Sequence, residues 1–248
     1  MPAGEEAATS CLETTAVRAT LERLHASARG DWTRFLGITP RYLAGLLAGR
    51  KMHEVITPDV TRDIYMPVSR EKGRFIYITA RAVGARHIVE FGTSFAISTI
   101  YLAAAVRDNG GGRVIGTEIE PGKQASAAAN IAAAGLGDIA EVRMGDARQS
   151  LRDVTGPLDL VFLDGWKPLY LPLLKQLQPQ LRAGAVVLAD NMRSFRSGVS
   201  DFVDYLRNPA NGFHAVTLGL GDGLEYAVYA GATRALASTP SGKERPAR

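Results

Sequence analysis

The sequence predicts an α/β fold: a doubly wound, mostly parallel sheet of seven strands, with a C-terminal antiparallel hairpin and N-terminal accessory helices. Two observations carry this expectation. From His87 onward, short apolar runs rich in Val, Ile and Leu alternate with helical stretches, the pattern of repeated βα units. At the end of that pattern, FHAVTLGL and LEYAVYA flank the turn residues GDG, a hairpin signal that adds at least one antiparallel strand.

The elements follow in order. Residues 1–60 read as helical without strand alternation: Leu21 and Leu24 carry a weak apolar stripe, and RYLAGLLAG ends at glycine. HEVITPDVTRDIYMPVS holds two prolines and reads as an irregular connection, followed by a helix from about Arg70 to Val83. HIVEFG, GRVIGTEI, AEVRMG, LDLVFLD and AGAVVLAD read as the five parallel strands. Between them lie SFAISTIYLAAAVR (helix from about Ser94), GKQASAAANIAAAG, ARQSLRDV and PLYLPLLKQLQPQL, and SGVSDFVDYLRN follows the fifth strand. The domain reading is therefore an extension over 1–60, one catalytic-size domain over 61–231, and a tail over 232–248 expected to be disordered.

Composition narrows the class. With 248 residues, 46% hydrophobic content and a mean hydropathy of −0.02, the chain suits one soluble domain with extensions. The start MPAGEEAATS has acids where a signal peptide would be basic and then apolar, and no apolar run approaches a membrane span, so a cytoplasmic location is expected. The single Cys11 excludes an intramolecular disulfide and a multi-cysteine zinc site. A net charge of +4 invites a nucleic-acid partner, but the basic residues are dispersed and aromatics are only 7%, so a solvated surface is the better reading. Helices outside the sheet pattern usually cap a site or make a subunit contact, and a homodimer through residues 1–60 is one expectation.

Chemistry gathers at the strand ends. VFLD closes at Asp164 and VVLADN at Asp190 and Asn191, and Lys167 follows the first by three residues. Polar groups just beyond parallel-strand C-termini meet in one crevice, the usual ligand site of open α/β sheets. Three hard oxygen ligands there suit Mg²⁺, or Mn²⁺ or Ca²⁺. Beside such an ion Lys167 is a candidate base, its proton made easier to lose. The alternatives are a surface amine for Lys167 and a strand-end turn for Asp190-Asn191. Trp166, Tyr170, Met192 and Phe195 follow the same strand ends and are expected to wall an acceptor pocket, although Tyr170 and Phe195 could equally pack between helices.

The first two strand ends point to a cofactor. Gly92 in EFGTSFAIS permits a tight turn and close ligand approach, and Glu118 closes the second strand where an acid receives two ribose hydroxyls. No further glycine follows in Thr93–Ile97, so a pyrophosphate cradle is not expected, and Glu90 suits a cationic cofactor tail better than a phosphate. A sulfonium-bearing amino acid with an ammonium group is such a tail. Asp146 in MGDAR lies where an adenine amine would reach, or else it caps the next helix. Glu118 and Gly92 likewise have bland alternatives, a solvated acid and a plain turn glycine.

Taken together, EFGTSFAIS, TEIEP, GDA, LDLVFLDGWKPLY, VVLADN and DGLEYAVY resemble the cation-dependent O-methyltransferases that use S-adenosylmethionine, the class of catechol and caffeoyl-coenzyme A O-methyltransferases. The resemblance runs from about Met66 to Tyr229 and implies the Rossmann-like class I methyltransferase sheet. By it, Asp164, Asp190 and Asn191 match the metal ligands, Lys167 the base and Glu118 the ribose acceptor. Glu90, Gly92 and Ser94 match the methionine-end loop, Met66 and Val68 stand beside cofactor and substrate, and Trp166 packs near the adenine. Ser98, Asp146, Ala147 and Asp164 complete the implied cofactor shell. The partner implied is a small hydroxylated acceptor with adjacent oxygens.

Three departures are visible. Ala96 stands where the family loop often has a second glycine, Gly165 replaces a histidine of the catechol enzymes, and HAVTLGLG lacks their glutamate aimed at the second hydroxyl. Two other classes compete: a nucleotide-dependent oxidoreductase on the same fold, and a non-catalytic adenosyl-binding module. Calorimetry with S-adenosylmethionine against NAD, with and without Mg²⁺, separates them.

Overall fold

The computed structural model describes residues 10–30, 44–45, 47–50, 55 and 68–231. Met66, the proline-containing connection around residue 60 and the 232–248 tail lie outside the described residues.

Helix α1 (Thr15–Gly30) follows a 3-10 turn, Cys11–Glu13, whose cap Ser10 accepts from the Leu12 amide. Val17, Leu21 and Leu24 recur at helical spacing and are buried in the same apolar cluster as Ile76 and Ile100. The apolar stripe of α1 is thus used by its own chain, and Arg23 reinforces the contact by donating to Asn130 Oδ1 at 2.8 Å. Helix α2 (Arg70–Ala82) is capped by Ser69, whose hydroxyl accepts from the Lys72 amide at 3.1 Å. Its inward face consists of Lys72, Gly73, Ile76, Thr79 and Ala80.

The expected seven strands are present. Parallel strands β1 (His87–Phe91), β2 (Arg113–Glu118), β3 (Ala140–Met144), β4 (Leu158–Leu163) and β5 (Leu181–Asp190) are joined by β6 (Phe213–Leu218) and β7 (Leu224–Tyr229). The order is β3-β2-β1-β4-β5-β7-β6, with β7 antiparallel to both its neighbours. Helices α3 (Ile97–Asp108), α4 (Pro121–Ala133), α5 (Ala147–Ser150), α6 (Tyr170–Leu177) and α7 (Arg196–Arg207) make the crossovers. The sheet is buried on both faces, which explains why its strands read as near-continuous apolar runs. Even-numbered positions such as Ile88, Leu160, Phe162, Val186 and Leu188 join the cluster under α1 to α4. Odd-numbered Val89, Val161, Leu163, Val187 and Ala189 join the cluster under α6 and α7. Among the described residues no helix is long and apolar enough to cross a membrane.

Strand order reverses between β1 and β4, so the loops after those strands diverge and leave a crevice at the sheet's C-terminal edge. Two helices differ from the sequence expectation. ARQSLRDV is helical only over Ala147–Ser150, and α3 begins at Ile97 rather than near Ser94. The delay has a backbone cause: Ser94 (φ 50°) and Ala96 (φ 68°) both take left-handed conformations that a helix cannot include.

Candidate active site

The sheet register assembles the site. Leu163 pairs with Ala189 across β4 and β5, so the next residues, Asp164 and Asp190, leave adjacent parallel strands side by side. The Asp164 amide still donates to Phe91 O at 2.8 Å, which ties the loop to β1. Asn191 turns back with φ 61°, and its amide donates to Asp190 Oδ1 at 2.6 Å. The β6–β7 turn clamps the next two residues: the Met192 amide donates to Gly223 O at 3.1 Å and the Arg193 amide to Asp222 O at 2.9 Å.

Lys167 closes this group from a 3-10 turn, Lys167–Leu169, that folds it back over the strand ends. Its ammonium donates to Asn191 Oδ1 and to the Tyr170 hydroxyl, both at 2.8 Å, and lies 3.7 Å from Asp164 Oδ1. Only 7% of the side chain is exposed. Burial holds the Lys167 pKa below the ordinary lysine value, against the opposing pull of Asp164 and Asp190. Burial, and after it the charge of Asp190, pushes the Asp164 carboxyl up to about 8. Two carboxylates and an amide oxygen leave neighbouring strand ends together, a set of hard oxygen donors. Asp164, Asp190 and Asn191 therefore fit a hard divalent cation.

The cofactor side is built on β1 and β2. Glu90 is fully buried, its Oε2 accepting from the hydroxyls of Thr93 and Thr99, while Oε1 has no hydrogen-bond partner among the described residues. Burial raises its pKa, with the hydroxyls of Ser98, Thr99 and Thr93 pulling the other way. An orphaned buried carboxylate oxygen fits a cationic group better than any neutral one. Gly92 (φ 94°) lies against the other loop so closely that a Cβ would fall 2.6 Å from the Gly165 nitrogen and 2.7 Å from Asp164 O. Glu118 is held by three amides: Oε1 accepts from Ile119 at 2.9 Å and Glu120 at 3.0 Å, and Oε2 from Ser94 at 2.9 Å. A carboxylate offers about four acceptor positions, so one is left for a ligand hydroxyl.

Other expected residues are placed as follows. Val68 is buried at the start of α2, and Trp166 is half-buried against the cluster under α6 and α7. Asp146 is the helix cap of α5: its Oδ1 accepts from the Arg148 amide at 2.9 Å, and the Arg148 guanidinium binds its Oδ2 at 2.6 Å. Ala147 follows it, buried. Phe195 is half-buried, its ring centre 5.4 Å from Lys167 Nζ. Met192 and Tyr170 are not on an open wall. Met192 is 5% exposed, and Tyr170 is fully buried, edge-on to Phe91 and Phe202. The Tyr170 hydroxyl accepts from Lys167 and donates to Asp190 O at 3.3 Å, so it orients the amine rather than an acceptor. Gly165 shows why no larger residue stands there, since a Cβ would come 2.5 Å from the Phe91 ring. An open cleft of about 890 Å³, lined by Leu21, Phe75, Ile78, Tyr101 and Leu220 among others, contains none of these residues.

One charged group escapes the strand-end pattern. Lys72 Nζ lies 2.5 and 2.7 Å from the two oxygens of Asp190. Its sequence signal is its place on the inward stripe of α2, in register with Ile76 and Thr79.

The profile of the family described as "Methyltransferase domain" matches residues 89–192, which take in both halves of the crevice. A catechol O-methyltransferase of Niastella koreensis is 35% identical over 129 residues, half of this chain but only 58% of that protein's own length. The catechol O-methyltransferase of Sus scrofa is 30% identical over 180 residues, 67% of this chain and 94% of the pig protein. Among solved structures, the O-methyltransferase TomG of Streptomyces achromogenes, in complex with SAM, superposes with a TM-score of 0.61 at 29% identity, covering 67% of this chain and 82% of that one. The seven-stranded sheet is that of the class I methyltransferases, and the chain belongs to the methyltransferase family that contains the catechol O-methyltransferases.

Proposed function

We propose that the protein transfers a methyl group from S-adenosylmethionine to one hydroxyl of a small acceptor carrying two adjacent hydroxyls, in a reaction that depends on a divalent cation. The observation that supports this reading most is the buried Lys167 amine, 2.8 Å from Asn191 Oδ1 and within 4 Å of Asp164. S-adenosylmethionine would supply an activated methyl. A cation on Asp164, Asp190 and Asn191 would lower the pKa of the bound hydroxyl.

The chain's own residues do the rest. Lys167, with its depressed pKa and its amine held by Tyr170 and Asn191, accepts the hydroxyl proton. Glu90 would meet the positively charged end of the cofactor with Oε1, which has no partner among the described residues, and Glu118 would take a ribose hydroxyl. Gly92 lets its loop pack directly on the Asp164–Gly165 loop, so the cofactor residues and the cation ligands share one crevice. Phe195 and Trp166 supply apolar walls for a flat ring.

Two expected outcomes test the reading. A labelled-methyl assay over paired compounds should show a vicinal diol or catechol methylated at least ~100-fold faster than its mono-hydroxy analogue, since only two oxygens fix the reacting one in place. Equal rates would remove the two-oxygen acceptor. Glu118→Ala should weaken S-adenosylmethionine binding by ~1–3 kcal/mol in calorimetry, the cost of unpaired buried donors. Unchanged affinity in the folded variant would remove the ribose assignment.

A further inference from the structure

Lys72 sits in the same charge cluster yet has no part in the proton transfer. It comes from α2, 118 residues away in sequence from Asp190, and both side chains are almost wholly buried, at 6% and 4% exposed. The ammonium engages both carboxylate oxygens. Oδ1 also takes the Asn191 amide, whereas Oδ2 has no other hydrogen-bond donor among the described residues. Two close packings hold the amine there. Gly73 lies so tightly on Tyr101 that a Cβ would fall 2.2 Å from the ring, which fixes α2. Gly221 in the β6–β7 turn (φ +57°) covers the amine, and a Cβ there would stand 3.0 Å from Nζ. Placing an ammonium on the apolar stripe of a helix is costly unless a fixed opposite charge meets it.

The charges of the cluster already cancel without any metal. Asp190 is matched by Lys72, and Asp164 faces Lys167, two acids against two amines. A divalent ion entering this group would bring two charges in excess. We infer that Lys72 is a resident counter-cation of the proposed metal site: it holds Asp190 in place when no ion is bound, stays on that carboxylate when one is, and weakens the ion's hold. Lys72 acts here as a positioning residue through Asp190. The inference rests on the reading of Asp164, Asp190 and Asn191 as cation ligands.

Mn²⁺ binding to the full chain, by calorimetry or by paramagnetic resonance of the free ion, separates this role from plain scaffolding. Lys72→Met and the milder Lys72→Gln, which keeps a donor to Asp190, should each bind Mn²⁺ tighter than the unmodified protein, by roughly tenfold or more. Their Tm in EDTA should fall, and the gap should narrow as Mn²⁺ saturates. A merely structural lysine gives the opposite sign, because a loosened site binds the ion more weakly. Equal or weaker Mn²⁺ affinity in folded Lys72→Gln would overturn the inference while leaving the metal site intact. Asp164→Asn is the control for the site itself. If the unmodified protein and both Lys72 variants take up no Mn²⁺, the metal reading falls, and this inference with it.

Discussion

Replacing Lys167 with methionine is expected to lower kcat by ~10²–10⁴-fold, the range a positioned proton acceptor contributes, with little change in S-adenosylmethionine affinity. Methionine keeps the apolar stem and removes the amine, so the buried volume is preserved and Tyr170 can still donate to Asp190 O. Lys167→Arg makes the test specific. Arginine keeps the charge beside Asp164 and Asn191 but cannot act as a base near neutral pH, so it should be almost as inactive as methionine. Substantial turnover in Lys167→Arg would mean that the amine acts by its charge alone. Tyr170→Phe should produce a smaller loss, confined to kcat, because the hydroxyl 2.8 Å from Nζ orients the amine without touching the acceptor. Steady-state kinetics with labelled cofactor reads all three.

The strand ends were legible because parallel strands deliver consecutive chemistry to one edge. Period, turn residues and terminal acids in VFLD and VVLADN suffice to bring Asp164, Lys167, Asp190 and Asn191 to one strand edge, where the structure groups them. What escaped depends on side-chain direction and long-range packing. Tyr170 follows Lys167 by three residues and reads as a pocket wall, yet its ring is spent between Phe91 and Phe202 and its hydroxyl on Lys167. Lys72 was visible as a lysine on the inward stripe of α2, but its partner is fixed only when β5 and the β6–β7 turn are packed against that helix. Ala96 is instructive in another way. It stands where the resembled loop often has glycine, yet the backbone takes a left-handed turn there with alanine, fully buried, at φ 68°. Alanine tolerates that conformation at a cost of ~1–2 kcal/mol, so packing around the loop overrides local preference.

Removing divalent cations should abolish methyl transfer, and the pH at which they are restored should matter. Asp164→Asn should mimic chelation while leaving S-adenosylmethionine binding largely intact, since Glu90 and Glu118 are separate from the ligand set. The pH dependence follows from the Asp164 carboxyl, raised to about 8 by burial and by Asp190. Between the ordinary value of 3.8 and that point, the metal-free folded chain holds this proton more tightly than the unfolded chain does. Its contribution to stability is therefore present at acid pH and lost as pH rises through about 8. A cation binds the ionised carboxylate and must displace the proton below that pH, so Mn²⁺ affinity should climb by up to about tenfold per pH unit and then level off. The rise in Tm on adding Mn²⁺ should accordingly be larger at pH 8 than at pH 6. Asp164→Asn should flatten that difference, because the residue that exchanges proton for metal is gone. A Mn²⁺ affinity independent of pH across this window would take Asp164 out of the ligand set, and full activity in EDTA would leave a methyltransferase that works by Lys167 and positioning alone.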